Sequence, residues 1–168
     1  MTIDASSFKL SMRQLAGHVC LITTITPSGE RQGLTATAVC SVSADPPTLL
    51  CCVNRGSISH AAIRDAKLFA VNVLALEDKA LADRFAKPIS GEEKFEHGMW
   101  TQLLTGAPIL KSASAALDCR LSQVIDVATH GILVGEIQAV SIRQHGVKPL
   151  LYTSGGYGGF APLEIASA

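Results

Sequence analysis

Residues 33–47 read GLTATAVCSVSADPP. From Leu34, the even positions are Leu34, Ala36, Ala38, Cys40 and Val42, all apolar. The odd positions are Thr35, Thr37, Val39, Ser41 and Ser43, and four of those five carry a hydroxyl. Alternation with period two marks a strand that turns one face toward a core. It predicts one strand over 33–43, stopped at Asp45-Pro46-Pro47 because proline has no N–H to give a ladder. Small hydroxylated side chains on the second face let a flat molecule approach the backbone and offer it donors and acceptors. Serine and threonine are also common on the outward face of any strand, so this stretch alone leaves both readings open.

Working outward, the spacing of Phe8, Met12 and Leu15 is loosely helical. Val19–Thr26 is rich in Val, Ile and Thr and ends at Pro27-Ser28-Gly29, a strand followed by a turn. Thr48–Val53 and Leu68–Leu74 read as short buried strands, and Ser57 or Ser59 can cap a helix running to about Arg64. Asp78–Ala86 has helical spacing at Leu81 and Phe85, and residues 87–113 look loop-rich. Ala116–Val127 alternates cleanly, Ile132–Ile142 is a long strand, and Leu150–Tyr152 is a last short one. About seven strands, few helices and no regular βαβ alternation predict a mostly β chain with a few short helices, arranged as an antiparallel barrel. A dinucleotide-binding α/β fold is disfavoured. No GxGxxG follows a strand, and Gly155-Gly156-Tyr157-Gly158-Gly159 has the wrong spacing.

The 168 residues fit a single domain over 1–168 that can bury its own core. Lys plus Arg equals 14, as does Asp plus Glu, and no basic run occurs, so nucleic acid is not an expected partner. No apolar stretch reaches the roughly 18 residues of a membrane helix. A mean hydropathy of +0.31 nevertheless leaves surplus apolar surface, for which a subunit interface or a ligand pocket is the outlet. The N-terminal MTIDASSFKLSMRQ lacks the basic start and apolar run of a signal peptide, which points to the cytoplasm. Cys20, Cys40, Cys51, Cys52 and Cys119 all lie in apolar strand-like runs and read as reduced, buried small hydrophobes. No CxxC or Cys/His spacing suits a metal.

Two further features could carry chemistry. Asn54-Arg55-Gly56-Ser57-Ile58-Ser59-His60 joins a strand end to a helix start, where free N–H groups, hydroxyls and Arg55 could seat a phosphate. An ordinary serine cap explains the same residues. His130, in the turn Ala128-Thr129-His130-Gly131, stands at a strand mouth and could meet a ligand or simply be solvated. No nucleophile elbow or triad spacing occurs.

The ordered set GLTATAVCSVSADPP, CCVNRGSISH, LFAVNVL, LADRFA, ALDCRL, THGILVGEI and PLLYTSGGY resembles the short-chain flavin reductases. These are the reductase components of two-component flavin-dependent monooxygenases, of the 4-hydroxyphenylacetate 3-monooxygenase type. The resemblance runs from about residue 8 to 160. It implies a split β-barrel of the FMN-binding type, a homodimer, FMN or FAD as flavin, NADH or NADPH as reductant, and a transient oxygenase partner. By matched position, Thr35, Ala36 and Thr37 would contact the flavin ring, and Ser41, Val42 and Ser43 would lie along the ring or ribityl chain. Asn54, Ser57, Ser59 and His60 would lie near the phosphate end, and Arg84, Phe85 and Ala86 would close over the cofactor. His130 matches the histidine of the family's Gly-Asp-His motif beside the nicotinamide, and Tyr157 matches an aromatic of the same pocket. The chain departs from the pattern at Thr129, where the aspartate is missing, at Thr37 in place of asparagine, and at Gly156 in place of a basic residue. Alternatives on the same barrel are a flavin-binding carrier or sensor without turnover, and a ferric or flavin reductase with no oxygenase partner.

Overall fold

The computed structural model describes residues 3–143 and 146–163. Helix α1 (Ala5–Met12) starts at Asp4, whose carboxylate accepts from the Ser6 and Ser7 amides, and buries none of its residues. The strands that follow are β1 (Gly17–His18), β2 (Cys20–Ile25), β3 (Arg31–Ala36), β4 (Val39–Ala44) and β5 (Pro47–Asn54). Helix α2 (Ile58–Ala66) leads to β6 (Leu68–Val73), and helix α3 (Lys79–Phe85) to the short helix α4 (Gly91–Lys94). The chain closes with β7 (Trp100–Gln102), β8 (Pro108–Leu110), β9 (Ala115–Val127), β10 (His130–Ile142), β11 (Leu151–Thr153) and β12 (Gly156–Gly158). Among the described residues no helix is long and apolar enough to cross a membrane.

Seven strands form one antiparallel sheet in the order β3-β2-β6-β9-β10-β5-β4. β3 and β4 are consecutive in sequence, only Thr37 and Ala38 lie between them, and they occupy opposite edges. The sheet therefore curls until its edges meet, and it stays split there because β3 and β4 share no ladder. The Ala38 carbonyl accepts from the Cys52 amide at 3.0 Å, which starts the second edge as the first ends.

The predicted single strand over 33–43 is thus two strands. The bend at Thr37–Ala38 also inverts the alternation. Leu34 and Ala36 pack on the core before it and Val39 after it, so the inward side passes from even to odd numbers. Cys40 is exposed, not buried as expected, and Val42, at the register shift between Ser41 and Ser43, is 53% exposed. Cys20, Cys51 and Cys119 are buried and Cys52 is half-buried. Residues 87–113 hold α4 and the β7–β8 hairpin, more structure than their glycines and prolines predict. β12 was hidden in the same way by its flanking glycines.

The barrel interior is filled by Ile22, Leu49, Cys51, Val53, Ile63, Phe69, Val71 and Leu133. Each large aliphatic or aromatic side chain buried there contributes about 1.5–3 kcal/mol. Gly135 gives Phe69 its space, since a Cβ at 135 would lie 2.5 Å from the Phe69 Cζ. A second cluster packs Val19, Leu21, Leu74, Phe85, Phe95 and Leu150 outside the barrel, with Trp100 and Tyr157 at its margin. Val19, Leu74 and Leu150 lock this side together: Val19 N donates to Leu150 O, Leu150 N to Leu74 O, and Leu74 N to Val19 O. Buried Asn72 ties in β8. Its amide donates to Leu21 O, Thr23 Oγ1 and Pro108 O, and its Oδ1 accepts from Leu110 N at 2.7 Å.

Two stability effects are expected from these contacts. Asn72→Ala strands several buried groups at once and should lower the unfolding free energy by about 2–4 kcal/mol in a denaturant titration. Gly135→Ala overpacks against Phe69 and should cost about 1–3 kcal/mol by the same measurement.

Candidate active site

At the open end of β3 a cavity of about 270 Å³ is lined by Val19, Thr35, Ala36, Thr37, Ala86, Tyr152 and Tyr157. Among the described residues no charged side chain lines it. Val19, between β1 and β2, and three further parts of the chain build it. β3 supplies the floor, the end of α3 supplies Ala86, and the β11–β12 hairpin supplies the two tyrosines. Thr35 Oγ1 donates to the Ala82 carbonyl at 2.7 Å and so fastens the floor to α3. Gly33 lets Phe85 in beneath the strand, since a Cβ there would lie 2.7 Å from the Phe85 ring. Phe85 is 1% exposed and meets Phe95 edge-on, with ring centroids 5.0 Å apart.

Of the three residues expected to close over the cofactor, only Ala86 reaches the cavity. Phe85 is core and underlies the floor. Arg84 turns the other way: its guanidinium donates to the Glu93 carbonyl and pairs with Glu96. Both departures follow from α3 lying between β3 and α4. One face of a short helix cannot serve the cavity and the Phe95 cluster at once.

A second cavity, of about 580 Å³, opens beside α2 and is bordered by Asn54, Arg55, Gly56, His60, Ala61, Arg64, Asp65, Ala128 and Thr129. Here the capping reading of the sequence is realised. Ser57 Oγ accepts from the His60 amide at 3.1 Å and donates to Asn54 O at 2.8 Å, while Asn54 Oδ1 accepts from the Gly56 amide. Ser59 is 4% exposed and His60 3% exposed. The His60 Nε2 has no partner among the described residues. A Cβ at Gly131 would lie 2.4 Å from that nitrogen, so only glycine fits there and α2 packs directly on the start of β10. Burial lowers the His60 pKa, Arg64 and Arg55 lower it further and Asp126 opposes them; the net shift favours the neutral ring. Arg55 and Arg64 both face Asp126, at 3.6 and 3.5 Å.

His130 is exposed and opens β10, in register with Asn54 of β5 on one side and Val127 of β9 on the other. Its Nδ1 lies 2.9 Å from Thr129 Oγ1, a contact that orients the ring. The register thus brings His130 to the α2 loop. Thr35, Ala36, Thr37, Ala86 and Tyr157 come together in the first cavity; Asn54 and His60 border the second. Ser41, Val42 and Ser43 line neither. They stand exposed on β4, and Ser43 Oγ is spent on the turn, donating to Asp45 O and accepting from Asp45 N. Sequence reasoning missed Tyr152, Arg64 and Asp126. Tyr152 had a usable signal, because a hairpin over 151–158 places it opposite Tyr157. Arg64 is one helical turn beyond His60, but nothing local marks Asp126, which arrives through the β9–β10 pairing.

An uncharged slot floored by small residues and walled by aromatic rings suits a flat, largely neutral ring system. Comparison with known proteins agrees. The flavin reductase like domain matches residues 12–161. A curated relative from Pseudomonas syringae pv. syringae, the FMN reductase (NADH) RutF, is 44% identical over 89% of this chain and 83% of its own. Among solved structures, a flavin reductase domain protein from Arthrobacter sp. FB24 superimposes with a TM-score of 0.87 at 32% identity, covering 96% of this chain and 99% of that one. BorF, the flavin reductase component of a bacterial two-component tryptophan halogenase, does so with a TM-score of 0.86 at 27% identity, covering 95% and 100%. With a family model matched along nearly its whole length, this chain belongs to the flavin reductase like domain family.

Proposed function

We propose that this chain reduces a free flavin, FMN or FAD, with NADH and passes the reduced flavin to a separate oxygenase or halogenase component. The carrying observation is the uncharged cavity of Thr35, Ala36, Thr37, Ala86 and Tyr157 in a chain 44% identical to an NADH-dependent FMN reductase. A bound flavin supplies the hydride acceptor, and the chemistry is then a matter of alignment, which the protein provides without a nucleophile or a triad. The partner class rests on BorF, a halogenase reductase component of the same fold.

The residues divide the work by position. Ala36 and the Thr35 and Thr37 backbone form a floor that a ring can approach closely, because no side chain there exceeds threonine. The α2 loop serves the phosphate end. Ser59 and His60 are buried, Ser57 is committed to the cap and the Arg55, Gly56, Ser57 and His60 amides are already bonded, so what the loop offers an anion is the remaining first-turn amides of α2, the Asn54 side-chain NH2 and the Arg55 guanidinium, which also faces Asp126. His130, held by Thr129 and in register with Asn54, orients the nicotinamide as a hydrogen-bonding group.

The working form we infer is a homodimer in the cytoplasm. Val42, Val127, Val140 and Ile142 are each more than half exposed, an apolar load on β4 and the outer parts of β9 and β10 that a second copy would cover. All five cysteines are free thiols, as in a reducing compartment.

Crossing FMN, FAD and riboflavin with NADH and NADPH, and following nicotinamide absorbance, tests the activity. Turnover with NADH and a phosphorylated flavin is expected. Flavin binding without oxidation of either nicotinamide would instead identify a carrier. In the same assay, His130→Ala should raise the KM for NADH about tenfold, the size of one lost oriented contact, with a smaller change in kcat. An unchanged KM and kcat would remove His130 from the site.

A further inference from the structure

His130 is carried by the two-residue turn Ala128-Thr129, which joins β9 to β10. The turn is poorly suited to support itself. Ala128 has a φ of +47°, in the left-handed region that a Cβ disfavours and that two-residue hairpin turns usually give to glycine or asparagine. A single residue, Arg55, grips it from the end of β5. The Arg55 amide donates to the Thr129 carbonyl at 3.0 Å, and its Nη1 donates to the Ala128 carbonyl at 3.1 Å. Its Nε lies 3.6 Å from Asp126 Oδ1, on the β9 side of the same hairpin. Thr129 passes this hold to the imidazole, with Oγ1 2.9 Å from His130 Nδ1. Arg55 follows Asn54, the register partner of His130, and precedes the Ser57 cap of α2 by two residues. One side chain and its own amide therefore fasten both carbonyls of the turn to the α2 loop.

We propose that Arg55 is a positioning residue for His130: it clamps the β9–β10 turn against the α2 loop and so fixes where the imidazole meets the nicotinamide. The assignment rests on the reading of His130 under the proposed function. The Arg55 and Asp126 side chains are 46% and 37% exposed, so their ion pair adds little to folding. What the clamp governs is the path of the turn, and losing it leaves the barrel interior untouched. The contacts to Ala128 and Asp126 lie within the protein, so they give the guanidinium a task separate from any anion.

The test uses two readouts, the first without any ligand. Hydrogen exchange in the peptide spanning 126–131 should quicken in Arg55→Ala, with β6 unchanged and the melting temperature unaltered. The second readout is NADH oxidation at saturating FMN, where a weakened phosphate contact is overcome and nicotinamide placement is read. Arg55→Ala should raise the KM for NADH about three- to tenfold, the effect of one lost hydrogen bond, with a smaller change in kcat. Arg55→Lys, which keeps the charge and one donor for the Ala128 carbonyl, should return it to within about twofold of wild type. The double variant Arg55→Ala/His130→Ala should have a KM for NADH no higher than His130→Ala alone, because the two act as one unit. An Arg55→Ala variant that raises only the KM for FMN would make Arg55 a phosphate contact and overturn the assignment. So would an unchanged KM for NADH beside a His130→Ala variant that is impaired, whatever the exchange shows. A His130→Ala variant with wild-type kinetics would instead bring down the reading of His130 itself, and this assignment with it.

Discussion

Two residues, Thr37 and Ala38, join strands on opposite edges of a seven-stranded sheet. The three peptide steps from Ala36 to Val39 reach about 10–11 Å at full extension. Laid flat, the edge strands of such a sheet would stand roughly 28 Å apart, six inter-strand spacings. The sheet has no option but to roll up. That covalent constraint creates the barrel interior, and it brings the end of β3 and the start of β4 to one seam. The same constraint leaves the ring cavity at a strand end, where backbone is accessible.

Two of the four hydroxyls in residues 33–47 are spent on the fold. Thr35 is bonded to Ala82, Ser43 closes the turn at Asp45, and, further on, Ser57 caps α2. What the site gains from these residues is chiefly smallness. Threonine and alanine keep the floor low while the hydroxyl groups position helices around it. Under the proposed reading, α3 would serve the ring end of the ligand and α2 its phosphate end. α2 is in turn pressed against Gly131, next to His130, so the α2 loop and His130 share one rigid contact.

Most strands were legible because their period-two patterns are strong, and β9 and β10 were read to within two residues at each end. The first strand misled because a two-residue bend carries no proline or glycine, and the alternation runs through it unbroken. Val39 and Cys40 exchange sides only because the chain changes edges, a tertiary event. The β7–β8 hairpin and α4 were obscured by the prolines and glycines around them. In the site, residues adjacent in sequence were legible, as with Thr35–Thr37 and the α2 loop. Arg84 and Phe85 were placed in the site by resemblance, and only the packing of α3 against Phe95 and Glu93 shows that their side chains point elsewhere. Groups assembled by strand pairing, such as Tyr152 with Tyr157 or Asp126 with Arg55, have no local signature.

The seam between β3 and β4 has no hydrogen-bond ladder across it. A planar guest arriving at the β3 end therefore displaces solvent and shifts side chains, and it breaks no main-chain pairing. An opening of this kind would suit the proposed reading, in which the cargo has to leave in order to be useful.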